Sequence, residues 1–424
     1  MLIRVKFLSI VLLGYLVATF LNYGRYVQGD FSIYFAAGRR VSNNLSLYDV
    51  DNNLYVYGPL LAHFLSPFSN LGELQASRAW LILSIIAVNI SAWVICRLFS
   101  SHFSLEFFIL SASILNISFA SRNNLGNGNV MAFVLLALVL SLGLALEGGG
   151  ESKKNVLALA LMTLFVFEVK TYIAIFLILF LIICKKIKPL LVFVGLVLIS
   201  NLFYLSTSGN SYLNWLNSLK LRSENLREGS DQATIFVFLS NLASDSNLIF
   251  LALVMSSYLA LLILMFKALL KHGANKKNQG LVLFAAAPII TVFAHGQDFI
   301  VSTLVLVVVL LYFGAQPAGI IVGRNYLIIA TGLLINWTNE QVLAVLPILF
   351  VIAITLNSVN MNKGNVSLAL GIACCSMLFL RHLLNQDGDI QYVAYNFQAL
   401  IFGLTVFFAA INIQVNKSIA EKSN

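Results

Sequence analysis

Charged side chains are scarce: Asp, Glu, Lys and Arg make up 10% of the 424 residues, against about 25% in a soluble globular chain. With 59% hydrophobic residues, no water-soluble core of this length absorbs the apolar side chains. Cysteine is also sparse. Cys96, Cys184, Cys374 and Cys375 lie within or at the ends of apolar runs, which excludes an exported disulfide framework and leaves redox chemistry without a theme. There is no Walker sequence, and no GxGxxG follows a strand, so nucleotide fingerprints are lacking. Internal repeats, low-complexity tracts and a soluble nucleotide-sugar domain are missing as well. The formal charge of +9 is spread as small Lys clusters at the ends of apolar runs rather than along one face. That distribution marks membrane topology and argues against nucleic acid as a partner.

What is there is a series of apolar runs of about 13 to 22 residues, close to the ~20 that a helix needs to cross the hydrocarbon layer. Backbone groups in lipid must be satisfied internally, so the runs are helices and the fold class is all-α, polytopic and transmembrane. The length criterion gives about fourteen segments, near 7–23, 77–98, 104–120, 129–146, 155–168, 171–184, 189–206, 247–266, 280–294, 298–314, 325–337, 341–357, 365–380 and 396–413. The first run follows Arg4 and Lys6 like a signal peptide, but no small-residue cleavage site comes after it, and it is expected to stay as a helix. An even number of crossings with most Lys and Arg inside places both termini in the cytoplasm.

Residues 155–184 carry Lys153 and Lys154 at one end and Lys185, Lys186 and Lys188 at the other. Keeping both groups on one side requires a hairpin whose arms are about 14 residues, or ~21 Å long. Its turn, with Glu168 and Lys170, is expected inside the membrane profile at the floor of an outward-facing cavity. The outer side receives two long loops, 24–76 and 207–246, and short ones near 121–128, 295–297, 338–340 and 381–395. Residues 31–42, 211–222 and the LLAHFLS segment between Pro59 and Pro67 have the character of short interfacial helices.

An ionisable group in or beside hydrocarbon costs at least ~2.5 kcal/mol, so each one asks for a reason. Asp30 stands where the first helix ends, suited to cap a helix starting at Phe31 or to face a substrate hydroxyl. His295 and Asp298 lie in AHGQD, where the histidine is an interfacial hydrogen-bonder or a catalyst and the aspartate caps a helix from Phe299 or binds substrate. RNNLGNGN (122–129) reads as a loop opening a helix, whose free N–H groups and Arg122 suit an anionic phosphate. Glu168 and Lys170 either pair with each other or leave Lys170 to neutralise a lipid phosphate. Tyr34, Tyr48 and Tyr57 are interfacial anchors or a sugar platform.

Several segments together resemble the polyprenol-phosphate-mannose-dependent mannosyltransferases, glycosyltransferase family 87, within the GT-C membrane superfamily. GDFSIYFAAGRRVSNNLSLYD (29–49) and VYGPLLAHFLSPFSNL (56–71) are similar to the family's Asp-Phe-x-x-Tyr first loop and Tyr-x-Pro-Leu segment. GNGNVMAFVLLAL (126–138) resembles its glycine-polar-x-Asn helix opening, FEVKTYIAIFLIL (167–179) its Lys-Pro hairpin, and AHGQDFIVSTLVL (294–306) its histidine and aspartate turn. Thr171, Asn127 and Gly58 depart from the more usual Pro, Gln and Pro, and leave the donor sugar open.

The resemblance implies a GT-C module over 1–310 with its active site on the outer face, and C-terminal helices of the same membrane domain over 311–424. It also implies a polyprenyl-phosphate sugar donor, a glycan or glycolipid acceptor, inversion at the anomeric carbon, and no metal or cofactor. Carried over onto these positions, Asp30 is the general base and His295 orients the acceptor or donates to the leaving phosphate. Arg122, Asn127, Asn129, Lys170 and Asp298, with Tyr34, Tyr48 and Tyr57, are the substrate-binding candidates. The implied location is the bacterial cytoplasmic membrane. The rival readings are a polysaccharide polymerase or ligase of the cell envelope, and a lipid-linked sugar transporter or flippase. The oligomeric state stays open.

Overall fold

The computed structural model describes residues 2–48, 55–99, 104–146, 152–208, 211–225, 276–290 and 296–314. All regular structure among them is helical. The helices are α1 (Leu2–Tyr23), α2 (Gly29–Ser42), α3 (Pro59–Leu65), α4 (Glu73–Phe99), α5 (Leu105–Ile117), α6 (Phe119–Asn127) and α7 (Met131–Leu146). They continue as α8 (Lys153–Val169), α9 (Thr171–Ile183), α10 (Ile187–Ser208), α11 (Tyr212–Asn225), α12 (Lys276–Ile290) and α13 (Ile300–Gly314), with short 3-10 turns at Ser66–Asn70 and Gly296–Phe299.

Helix starts follow local chemistry. Ser104, Ser118 and Ser152 each accept a backbone N–H with the side-chain oxygen, from Phe107, Ser121 and Asn155, and so cap α5, α6 and α8. The 27 residues of α4 extend ~40 Å, more than the ~30 Å hydrocarbon layer. One face of α4 is buried through Trp80 and, around it, the small residues Ala76, Ser77, Ser84, Ala87, Ser91 and Ala92. Such small residues let neighbouring helices approach closely, as membrane packing favours. Its other face exposes Ile82, Leu83, Ile86, Ile90 and Trp93, and α10 exposes Leu191, Val194, Leu198, Ile199 and Leu202. A helix apolar on both its packed and its open face belongs in lipid, and the chain is a membrane protein.

Among the described residues, two helices are long and apolar enough to cross a membrane, Glu73–Phe99 and Ile187–Thr207, or three if the pair α5 and α6, bent by 63°, counts as one span. Shorter apolar helices are Ser9–Tyr23, Met131–Leu146, Thr171–Ile183 and Gln279–Pro288. The expected segments near 247–266, 325–337, 341–357, 365–380 and 396–413 lie outside the described residues, as does everything in the expected C-terminal region beyond Gly314.

α8 and α9 meet at Lys170 and fold back on each other, with Ile178 of α9 packed against the cluster of Ala160, Leu164 and Phe193. This is the hairpin anticipated from the lysine clusters. The segments read as short helices in the long loops are helical, as α2, α3 and α11. One expectation is corrected: residues 122–127 are helical, not loop. α6 ends only at Gly128, whose φ of 67° supplies the left-handed cap that a Cβ disfavours.

Candidate active site

The site grows from the end of α1, where the chain turns through residues 24–28 into α2. Gln28 is the N-cap of α2, in an extended conformation, so Asp30 is the second helical residue rather than the cap expected from sequence. Its carboxylate still sits in the first turn, where the helix dipole favours negative charge. Its partner is remote: the Asn129 carboxamide donates to Asp30 Oδ2 at 2.6 Å. Asn129 Oδ1 accepts the Met131 N–H at 3.1 Å and so caps α7 with the same side chain.

Gly128 makes this juxtaposition possible. A Cβ there would stand 2.8 Å from the Cβ atoms of Gln28 and Phe31, so only glycine lets the α6–α7 turn press against α2. The indole N–H of Trp80 donates to the Gly128 carbonyl at 2.8 Å and fixes the turn from α4. The Asp30 Oδ1 oxygen makes no hydrogen bond among the described residues, and the side chain is half-buried.

One turn further along α2, Tyr34 is fully buried. Its hydroxyl donates to the Tyr57 hydroxyl at 3.0 Å, and the two rings meet edge-on at 5.0 Å. Tyr48 donates its hydroxyl to the Tyr57 carbonyl at 2.8 Å. Burial pushes the Tyr57 phenol up, the Lys170 ammonium partly offsets this, and the Asp30 and Asp298 carboxylates add to the rise. Tyr57 thus stands within the electrostatic reach of both the Asp30 and the Lys170 sides of the site. Burial likewise raises Tyr34 and Tyr48, so all three phenols are protonated donors at neutral pH.

Lys170 occupies the break between α8 and α9, with φ −143° and ψ 73°. It is 6% exposed and its ammonium lies 2.9 Å from Asp298 Oδ1. The rings of Tyr57 and Tyr172 flank it at 5.9 and 5.8 Å, and the Tyr172 hydroxyl donates to Asp298 Oδ2. Asp298 therefore lies inside the 3-10 turn before α13 as the counterion of Lys170, not as the cap of a helix starting at Phe299.

The pairing of Glu168 with Lys170 is not formed. The two side chains leave the helix break in different directions, and Glu168 accepts from the Leu60 N–H at 2.7 Å and from the hydroxyls of Tyr204 and Tyr212 at 3.0 and 2.6 Å.

Arg122 is half-buried on α6, the helix that packs against the turn carrying Asp298, and lies within electrostatic reach of Tyr15 of α1. Asn127 is exposed at the end of α6, its carboxamide donating to Asn123 at 2.8 Å. His295 lies outside the described residues. Asp30, Asn129, Tyr34, Tyr57, Lys170 and Asp298 are thus connected through one cluster centred on Tyr57, whereas Asn127 makes its contact within its own helix.

Sequence reasoning missed the parts played by Tyr172 and Trp215. Tyr172 neighbours Lys170 and offered a signal by adjacency alone. Trp215, seen only as part of an amphipathic face, donates its indole N–H to the Val56 carbonyl at 2.9 Å and so holds the strip that carries Tyr57. Chemically, the cluster combines a carboxylate with one open oxygen, a cation with donors to spare beyond its one carboxylate, and a wall of phenols.

Among known proteins, the family model of glycosyltransferase family 87 matches residues 55–278, just over half of the chain. The match contains Tyr57, Arg122, Asn129, Glu168 and Lys170, while Asp30 and Asp298 flank it on either side. No curated protein and no solved structure matches the chain.

Proposed function

This chain belongs to glycosyltransferase family 87 and is a membrane glycosyltransferase, and we propose that it moves a hexosyl unit, mannosyl by resemblance, from a polyprenyl-phosphate donor to a glycan or glycolipid acceptor. The reaction takes place on the extracytoplasmic face of the bacterial cytoplasmic membrane, with both termini in the cytoplasm. The observation that carries this reading is the gathering of the Asp30–Asn129 pair and the Lys170–Asp298 pair around Tyr57.

Inverting transfer is a single displacement. Asp30 takes the proton of the acceptor hydroxyl through its open Oδ1, the acceptor oxygen attacks the anomeric carbon, and the bond from that carbon to the phosphate oxygen breaks. The polyprenyl phosphate departs with the electron pair, and Lys170 and Arg122 stabilise its negative charge. Asn129 holds the base, Tyr34, Tyr48 and Tyr57 line the sugar, and His295 orients the acceptor or donates to the phosphate. No metal or cofactor takes part in this scheme.

Removing the base tests it. Asp30→Asn is expected to lower transfer from polyprenyl-phosphate mannose by about 10²- to 10⁴-fold in a protein that still inserts and purifies normally. Turnover retained at the wild-type rate overturns the role of Asp30.

A further inference from the structure

Glu168 is fully buried, and the transfer scheme gives it nothing to do. Yet it grips one short strip of chain from two directions. Its backbone carbonyl accepts the Gly58 N–H at 2.6 Å, and its carboxylate accepts the Leu60 N–H at 2.7 Å. Gly58 is the N-cap of α3 and has no side chain to cap with, so a carboxylate from another helix satisfies an otherwise orphaned N–H. The approach is close: a Cβ on Gly58 would lie 2.6 Å from the Cβ of Glu168. The other carboxylate oxygen takes the hydroxyls of Tyr204 on α10 and Tyr212 on α11. Three helices and the α3 strip are thereby tied to one side chain, and the residue just before Gly58 is Tyr57, whose ring stands between Tyr34 and the Lys170 ammonium.

We propose that Glu168 is a positioning residue for donor binding: by clasping Gly58 and Leu60 it fixes Tyr57 against Lys170 and so shapes the phosphate subsite without touching the donor. This rests on the donor reading given above. A carboxylate accepts on both oxygens, whereas an amide accepts on one and turns an NH2 toward the donors. Glu168→Gln therefore breaks part of the clasp while keeping the volume, and Tyr212→Phe loosens it from α11, farther along the chain from the cluster.

The test uses the full chain in detergent and has two readouts. Hydrogen–deuterium exchange over 55–62 is expected to quicken in Glu168→Gln and, less, in Tyr212→Phe. With polyprenyl-phosphate mannose, Glu168→Gln is expected to raise the donor KM about tenfold, the loss of one charge-assisted hydrogen bond, with kcat within about twofold. Unchanged exchange in both variants overturns the clasp. Faster exchange with an unchanged donor KM in an active enzyme overturns the positioning role alone. Faster exchange in a protein whose wild type turns over no polyprenyl-phosphate sugar overturns the donor reading, and the role built on it, while leaving the clasp.

Discussion

Asn129 donates its carboxamide N–H to the Asp30 carboxylate at 2.6 Å, across 99 positions of sequence. The same side chain caps α7 through its oxygen, so one residue both ends the glycine turn and aims the carboxylate. The two duties separate by substitution. Asn129→Asp keeps a capping oxygen but loses the donor and faces Asp30 with like charge. Both Asn129→Asp and Asn129→Ala are expected to lower kcat by about tenfold or more, the worth of a charge-assisted hydrogen bond. Wild-type kcat in Asn129→Asp removes Asn129 from the aiming of the base.

The Lys170–Asp298 pair makes a second, separable prediction. Removing one partner of a buried pair costs about 3–5 kcal/mol, whereas replacing both with apolar residues of similar size is often neutral. Lys170→Met is therefore expected to lower the unfolding temperature in detergent, and Lys170→Met combined with Asp298→Leu to recover most of it. Donor affinity is not expected to return with stability, because the cation is gone. A double variant that recovers both stability and donor KM makes the pair purely structural.

His63 predicts a pH dependence outside the membrane-spanning segments. Burial lowers its pKa, and its Nε2 is buried with no hydrogen-bond partner among the described residues. The unfolded chain, with an ordinary pKa of about 6.5, binds the proton more readily than the folded protein. Stability is thus full above that value, falls as pH drops below it, and stops falling beneath the depressed folded value. Thermal unfolding between pH 7.5 and 5 is expected to show this slope and to lose part of it in His63→Gln; an identical slope in the variant places the titration elsewhere.

The helical and membrane character was legible because periodicity and apolar length are local properties, and the hairpin at Lys170 was legible because lysine clusters at both ends demand one side. What failed was nearest-neighbour pairing. Glu168 and Lys170 are two positions apart, and proximity suggested an ion pair, but the helix break at Lys170 sends one to α3 and the other to Asp298. The contact between Tyr172 and Asp298 spans 126 positions, and no local pattern announces it. RNNLGNGN read as loop because Gly and Asn are turn residues. Tertiary packing of α6 against the turn before α13 overrides that propensity, and only Gly128 keeps the turn conformation. Asp30 was placed at the right helix end but as its cap, whereas the helix starts two residues earlier than expected, with Gln28 at the N-cap position and Asp30 second in the helix.

The most direct test of the account is to give the purified protein a panel of sugars linked to polyprenyl phosphate, alongside the same sugars as nucleotide diphosphates, and to follow release of the lipid phosphate in the presence of glycan acceptors. Release of polyprenyl phosphate with at least one sugar, lowered about 10²- to 10⁴-fold in Asp30→Asn and absent with every nucleotide sugar, is the expected result. Transfer from a nucleotide sugar, or acceptor glycosylation that leaves the donor's bond between sugar and lipid phosphate intact, contradicts it.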